Sequence, residues 1–199
     1  MYNRGREGGG LRRERLEVDE NSLKKAIQEG WFSIVREAVR EALKTRKKGS
    51  VKEVIEKVIE DEFQKIKEDF RNTGGDLSKL DDFRIVKTAA VVAAMAVIKE
   101  LKTTQIRKII EMSKGLNTEV KLNQNDNTIS RRILNGAVRM NMLLAYYAGK
   151  NSSVQPLQEV LEPILLWLSS NPTVENFSKV YTFFEAIVAY HRYFGGKEQ

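Results

Sequence analysis

The chain has 199 residues, of which 41% are hydrophobic and 31% are charged, a balance typical of a soluble globular protein of one or two domains. It contains no cysteine and only one histidine, His191, which excludes a disulfide framework, a zinc ribbon and a thiol nucleophile. The longest apolar run, residues 88–98, is far shorter than the roughly 20 residues that cross a bilayer. Residues 1–15 lack the apolar stretch of a secretory signal, so we expect a cytoplasmic protein with no membrane partner.

The formal net charge is +7, and the basic excess is concentrated in one segment. Residues 101–150 contain nine Lys or Arg against three Asp or Glu, whereas residues 151–199 are net acidic. A clustered basic excess favours a phosphate-rich partner such as a nucleic acid. On charge alone, a solvated basic face without a partner explains the pattern equally well.

The N-terminal part of the chain predicts an arm followed by two helices. Residues 1–18 are rich in Gly and Arg and have little to bury, which is typical of a flexible basic arm. Apolar residues then recur at steps of three and four and predict one helix, with Trp31 on its apolar stripe and RKKG at 46–49 as its end. A capping box, SVKE, opens a second amphipathic helix, and NTGGD at 72–76 is the clearest break in the chain. We therefore predict a helical extension over residues 19–75.

Residues 76–199 predict a helical domain. A small-residue, strongly apolar helix over about 80–101 is expected at its centre, because Ala and Val permit close packing. The other predicted helices lie, in chain order, over about 103–114, 129–148, 156–169 and 172–194, with a turn at 123–128. No alternating run predicts a strand. The fold class is therefore all-α, a compact bundle of about six or seven helices with no sheet.

The sequence offers little for catalysis. Gly149-Lys150 lacks the upstream glycine and the following Ser or Thr of a phosphate-binding loop, and a Ser-His-Asp arrangement would require His191. On a helical wheel, His191 lies in the middle of an apolar arc, which predicts a neutral core histidine with one hydrogen bond. A carboxylate-only Mg²⁺ site stays open, although Asp81-Asp82 at a helix start are more simply partners of the helix dipole. We predict no enzyme activity, no metal and no cofactor; an enzyme that uses His191 is the least favoured alternative.

The helix predicted over 129–148 has a narrow polar stripe. At 100° per residue, its members fall within an arc of about 60° and extend over about 27 Å; they are Arg132, Asn135, Arg139, Tyr146 and Lys150. Three cations can neutralise phosphates, and the tyrosine ring can stack on a base or sugar. Both flanks of the stripe are apolar and are expected to be packed, one of them through Leu134, Val138 and Ala145. The alternative is a solvated ridge without a partner.

Three segments together resemble one family. LKTTQIRKIIEM at 101–112, VRMNMLLAYYAGK at 138–150 and FFEAIVAYHRYFGGK at 183–197 are similar, in order and spacing, to the small helical subunit of the type III-A CRISPR–Cas effector, the Csm complex. The resemblance covers about residues 80–197. It implies a non-catalytic all-α protein that lines an RNA-guided filament beside the backbone subunits. Its implied partners are guide RNA, target RNA and the other Csm subunits.

The resemblance also implies contacts to RNA at the basic positions that match those of the family: Arg107, Lys108, Arg139, Lys150, Arg192 and Lys197. Arg139 and Lys150 are also members of the polar stripe. The family tends to have Gln and Arg where this chain has Tyr147 and Lys150, and lysine keeps the charge but loses the planar fork of arginine. The predicted RNA-binding set is Arg107, Lys108, Arg132, Arg139, Tyr146, Lys150 and Arg192.

The sequence therefore leaves two functional hypotheses. The favoured one is a structural subunit of a type III-A CRISPR RNA-guided interference complex, which binds the guide–target RNA backbone without reading its bases. The alternative is a helical adaptor that binds proteins but not RNA, either as a complex scaffold or as a homodimer or self-stacking unit through the aromatic C-terminal helix.

Overall fold

The computed structural model describes residues 19–45, 51–122 and 127–197, without the side chains of residues 108 and 109. The predicted arm at 1–18, the helix stop at 46–49 and most of the turn at 123–128 lie outside these residues. The described part is all-α, as predicted, with eight α-helices rather than six or seven. In chain order they are α1 Glu20–Glu29, α2 Phe32–Lys44, α3 Val51–Thr73, α4 Asp82–Ile98, α5 Thr103–Leu122, α6 Arg131–Lys150, α7 Gln155–Ser170 and α8 Val174–Phe194.

The additional helix arises because the first predicted helix is broken after residue 29. Gly30 has a left-handed backbone with φ 75°, and its N–H caps the C-terminus of α1 through the carbonyls of Ala26 and Ile27. The chain then turns and α2 starts at Phe32, so Trp31 precedes the new helix instead of lying within a continuous one. The prediction that Trp31 belongs to the apolar stripe was wrong, because its side chain is exposed.

The apolar helix α4 is central, as its small residues predict. Every residue from 89 to 97 is buried, and α4 packs against α2, α3, α7 and α8. Its N-terminus is fixed by Asp81, whose carboxylate accepts a hydrogen bond from the backbone N–H of Arg84 at 2.8 Å. The helices that form the outside of the molecule therefore share one hydrophobic core around α4.

The N-terminal helices pack into this same core. The ring of Phe32 on α2 lies 4.6 Å from that of Tyr190 on α8, and the ring of Phe70 on α3 lies 6.0 Å from that of Phe183, also on α8. Both pairs are inclined rather than parallel, which is the favourable arrangement for aromatic rings. The predicted division of the chain at residues 75 and 76 stays a prediction.

Helices α5 and α6 form a hairpin along one side of the core, and the start of α6 is tied to the start of α8. Ile129 N–H donates to the Pro172 carbonyl, and Val174 N–H donates to the Asn127 carbonyl, both at 2.9 Å. These bonds form the isolated bridge between Thr128 and Thr173. They fix where α6 begins relative to α8.

Candidate nucleic-acid interface

The side of α6 that faces α5 is defined by two contacts. The guanidinium of Arg132 lies 3.4 Å from the carboxylate of Glu119, and Gly136 packs directly against the side chain of Leu116. From Arg132 to Gly136 the chain advances along α6, whereas the partners change from Glu119 back to Leu116 on α5. The two helices are therefore antiparallel neighbours. Lys150, at the end of α6, therefore lies at the same end of the hairpin as the start of α5.

Four predicted residues share the exposed face of α6, and we call them the cationic ridge: Arg132, Arg139, Tyr146 and Lys150. The Lys150 ammonium lies 4.6 Å from the centre of the Tyr146 ring, and Tyr146 is 54% exposed. A ring held under a cation and open to solvent can stack on a base while the ammonium contacts a phosphate. The ion pair with Glu119 offsets part of the Arg132 charge, so Arg139 and Lys150 are the stronger candidates.

The flanks of the ridge differ from each other. The flank of Ile133, Ala137, Met140 and Leu144 is buried, as predicted. The prediction that the other flank is packed was wrong, because Val138 is 49% exposed, Ala145 is exposed and only Leu134 is partly buried against the core. Sequence reasoning also missed Met142, which is 67% exposed. The helical wheel places Met142 between Val138 and Tyr146, at the edge of the polar stripe, so its exposure could have been predicted. An apolar strip thus accompanies the cations.

The remaining predicted residues lie on α5 and α8. Arg107 is exposed in the first part of α5, and Arg192 is exposed near the end of α8. The Thr103 N–H donates to the Lys197 carbonyl at 2.9 Å, so the start of α5 and the end of the chain meet. Arg107 therefore lies toward the Lys150 end of the hairpin, on the neighbouring helix. The side chain of Lys108 lies outside the described residues.

His191 is a core residue, as predicted. Its side chain is 1% exposed, and its Nε2–H donates to the Leu101 carbonyl at 2.9 Å. Burial lowers the pKa of His191 below its ordinary value, and the hydrogen bond to Leu101 opposes this shift only in part. Gly196 packs against the imidazole so closely that a Cβ there would overlap the ring. A neutral imidazole enclosed in this way is closed to a substrate. In the part of the chain that the structure describes, no group of three or more metal-ligating side chains could hold a metal ion.

The fold and the site define an all-α protein with an exposed cationic helix face and a histidine that belongs to its core. The family model described as Csm2 Type III-A matches residues 79–197, more than half of the chain, and the chain belongs to this family. It is a small structural subunit of the type III-A Csm complex and a partner of other Csm subunits. No curated protein matches the chain. Among the described residues, no helix has the length and apolarity that a membrane span requires.

Proposed function

We propose that this subunit binds the RNA of the complex through the cationic ridge, as a non-catalytic component of CRISPR interference in the cytoplasm. The observation that supports the proposal is the exposure of Arg132, Arg139 and Lys150 on one helix face beside the exposed ring of Tyr146. The proposed contacts are to the backbone of the guide–target RNA. Arg107, Lys108 and Arg192 extend this surface in the same proposal.

The ridge fits a backbone better than it fits bases. From residue 132 to residue 150 it extends over about 27 Å, which is long enough to pass several phosphates of one strand. Cations on long side chains fix the position of a nucleic acid without reading its sequence. Binding should therefore be independent of sequence and sensitive to salt, because it releases counterions from the phosphates.

The decisive experiment measures the affinity for single-stranded RNA as a function of salt concentration. Each phosphate contact contributes about 0.7 to the slope of log K against log salt on single strands, so the double substitution Arg139→Ala and Lys150→Ala should reduce the slope by about 1.4. The matched control is Lys65→Ala with Arg84→Ala, which removes two cations that are also mostly exposed but lie on α3 and α4.

The control should retain the wild-type slope while the ridge variant does not. If both double variants lower the slope equally, the chain attracts RNA through net charge and has no defined surface. If the ridge variant leaves the slope unchanged, the ridge is not the RNA surface. Circular dichroism of both variants should match the wild type, because all four side chains are on the surface.

One observation favours a second function, that of a protein-binding adaptor. The exposed apolar side chains of Val138 and Met142 lie beside the cations, and such a strip is typical of a protein contact. The aromatic residues of α8 do not favour a dimer through that helix, because Phe177, Phe183 and Phe194 are buried within the chain. If Met142→Ser abolishes co-purification with the other Csm subunits but preserves RNA affinity, the strip is a subunit interface.

A further inference from the structure

A polar cleft of about 310 Å³ opens between α3, α4 and the start of α7. Its charged lining residues are Glu60 and Lys67 on α3, Lys99 just after α4, and Glu159 on α7. Ser153 and Gln155 line it near the start of α7. The matched family segment begins at residue 79, so α3 contributes one wall from outside that segment. The family match therefore covers only part of the cleft.

The lysine ammonium groups that line the cleft have N–H donors that are not used within the described part of the protein. The Lys67 side chain is only 14% exposed, and its Nζ has one carboxylate partner, Glu159, at 3.2 Å. An ammonium group has three N–H donors, so two of those of Lys67 have no protein acceptor within the described residues. Lys99 lies on the same cleft and pairs at 3.5 Å with Glu60. A ligand that brings several acceptor oxygens would satisfy these donors.

The start of α7 adds a donor of a different kind, a hydroxyl group. Ser153 is more than nine-tenths buried and lines the cleft, and its Oγ has no hydrogen-bond partner in the described part of the chain. The backbone N–H groups of Ser153 and Val154 are already bonded to Asn151, so the hydroxyl is the group at this turn that is left for a ligand. An unpartnered hydroxyl and two lysines therefore meet in one cleft.

We propose that this cleft binds a phosphate monoester, with Lys67 exchanging its contact to Glu159 for a contact to the phosphate. The phosphate offers enough acceptor oxygens for two ammonium groups and a hydroxyl together. A volume of about 310 Å³ exceeds the need of inorganic phosphate and admits a nucleotide. The monoester is either a free nucleotide or the terminal phosphate of an RNA. The cleft adjoins the cationic ridge along the chain, because Lys150 precedes the lining residue Ser152 by two positions.

The test compares two substitutions that are expected to change the affinity for phosphate in opposite directions. Glu159→Gln removes the carboxylate that competes for Lys67 and should strengthen phosphate binding by about tenfold, whereas Lys67→Met should weaken it by at least about tenfold. The matched control is Lys65→Met on the same helix, because Lys65 is exposed and pairs with Glu62 instead of lining the cleft. Calorimetry on the full chain would use inorganic phosphate, adenosine monophosphate, and a short RNA with either a 5′-phosphate or a 5′-hydroxyl.

Binding of adenosine monophosphate and inorganic phosphate supports a free nucleotide, and a preference for the 5′-phosphorylated RNA alone supports an RNA end. The proposal is overturned if no probe binds to either the wild type or Glu159→Gln, or if Glu159→Gln weakens binding. If Lys67→Met does not fold, Ser153→Ala takes its place and should weaken binding severalfold. The ridge variant with Arg139→Ala and Lys150→Ala should bind adenosine monophosphate normally, so failure of the RNA proposal and failure of this one are distinguishable.

Discussion

Replacement of His191 by phenylalanine tests whether this histidine belongs to the core or to a catalytic site. The substitution keeps an aromatic ring in a position that is 1% exposed, but it removes the Nε2–H that donates to the Leu101 carbonyl at 2.9 Å. Leu101 is itself buried, so its carbonyl cannot exchange the lost bond for one to bulk water. The expected consequence is a loss of stability with no change in RNA affinity.

The magnitude follows from the contacts of the ring. A buried acceptor that loses its partner costs about 1–3 kcal/mol. The additional apolar area of Phe offsets part of this cost, but the contact with Gly196 leaves little room for a larger ring. We expect a loss of about 2 kcal/mol, which for a chain of this length lowers Tm by about 4–8 °C. The matched control is His191→Gln, because the Gln amide keeps a donor at a similar reach and should recover part of the loss.

Chemical unfolding followed by circular dichroism would measure these differences, and the salt-dependent RNA titration would be repeated on each variant. The core assignment is refuted if His191→Phe is as stable as the wild type. It is also refuted if the variant is fully folded yet assembles into a Csm complex that has lost an activity, because a core residue would then have a chemical role.

Three further predictions follow from local geometry. Burial lowers the pKa of His191 below 6.5, so the stability that neutral His191 contributes is complete above about pH 6.5 and is lost as the pH falls through the lowered pKa. The difference in unfolding free energy between wild type and His191→Phe should therefore narrow on acidification, and a constant difference would contradict this. Gly75→Ala should cost about 2–4 kcal/mol in urea unfolding, because φ is 81° and a Cβ would overlap the backbone of Pro163; a neutral effect would contradict the packing. Asp81→Ala should lower the unfolding free energy by about 1 kcal/mol, because the acceptor that caps the Arg84 N–H is lost. Asp81→Asn should retain most of the wild-type stability.

The sequence predicts best those features that one helix determines by itself. The position of His191 within an apolar arc and the alignment of Arg132, Arg139 and Lys150 depend only on the 100° rotation per residue. The centrality of α4 follows similarly from its continuous run of small apolar residues, which leaves it no polar face to expose. In each case the periodicity of a single element decides between a buried and an exposed side chain.

Predictions that depended on a neighbouring element were less successful. Val138 and Ala145 are apolar, but their exposure is decided by whether another helix covers that side of α6, and the α5–α6 hairpin covers the opposite side through Leu116. Trp31 fits the helical period, but a left-handed Gly30 ends the helix one residue earlier and changes its environment. A glycine inside a periodic run can be a tolerated helix residue or a cap, and the run alone does not distinguish the two.

The cleft shows why tertiary packing creates sites that no motif signals. Its two lysines lie 32 positions apart and belong to separate elements, and Ser153 lies more than 50 positions beyond either of them. Neither Lys67 nor Ser153 is unusual in its own segment. Lys67 fits the polar face of an amphipathic helix, and Ser153 fits a turn. They become a candidate anion site because α3 packs on α4 and α7, which buries the lysine stem and leaves its ammonium facing the start of α7. The helices outside the matched family segment therefore complete a surface of the family domain, and the Glu159→Gln variant is the most direct test of whether that surface binds a ligand.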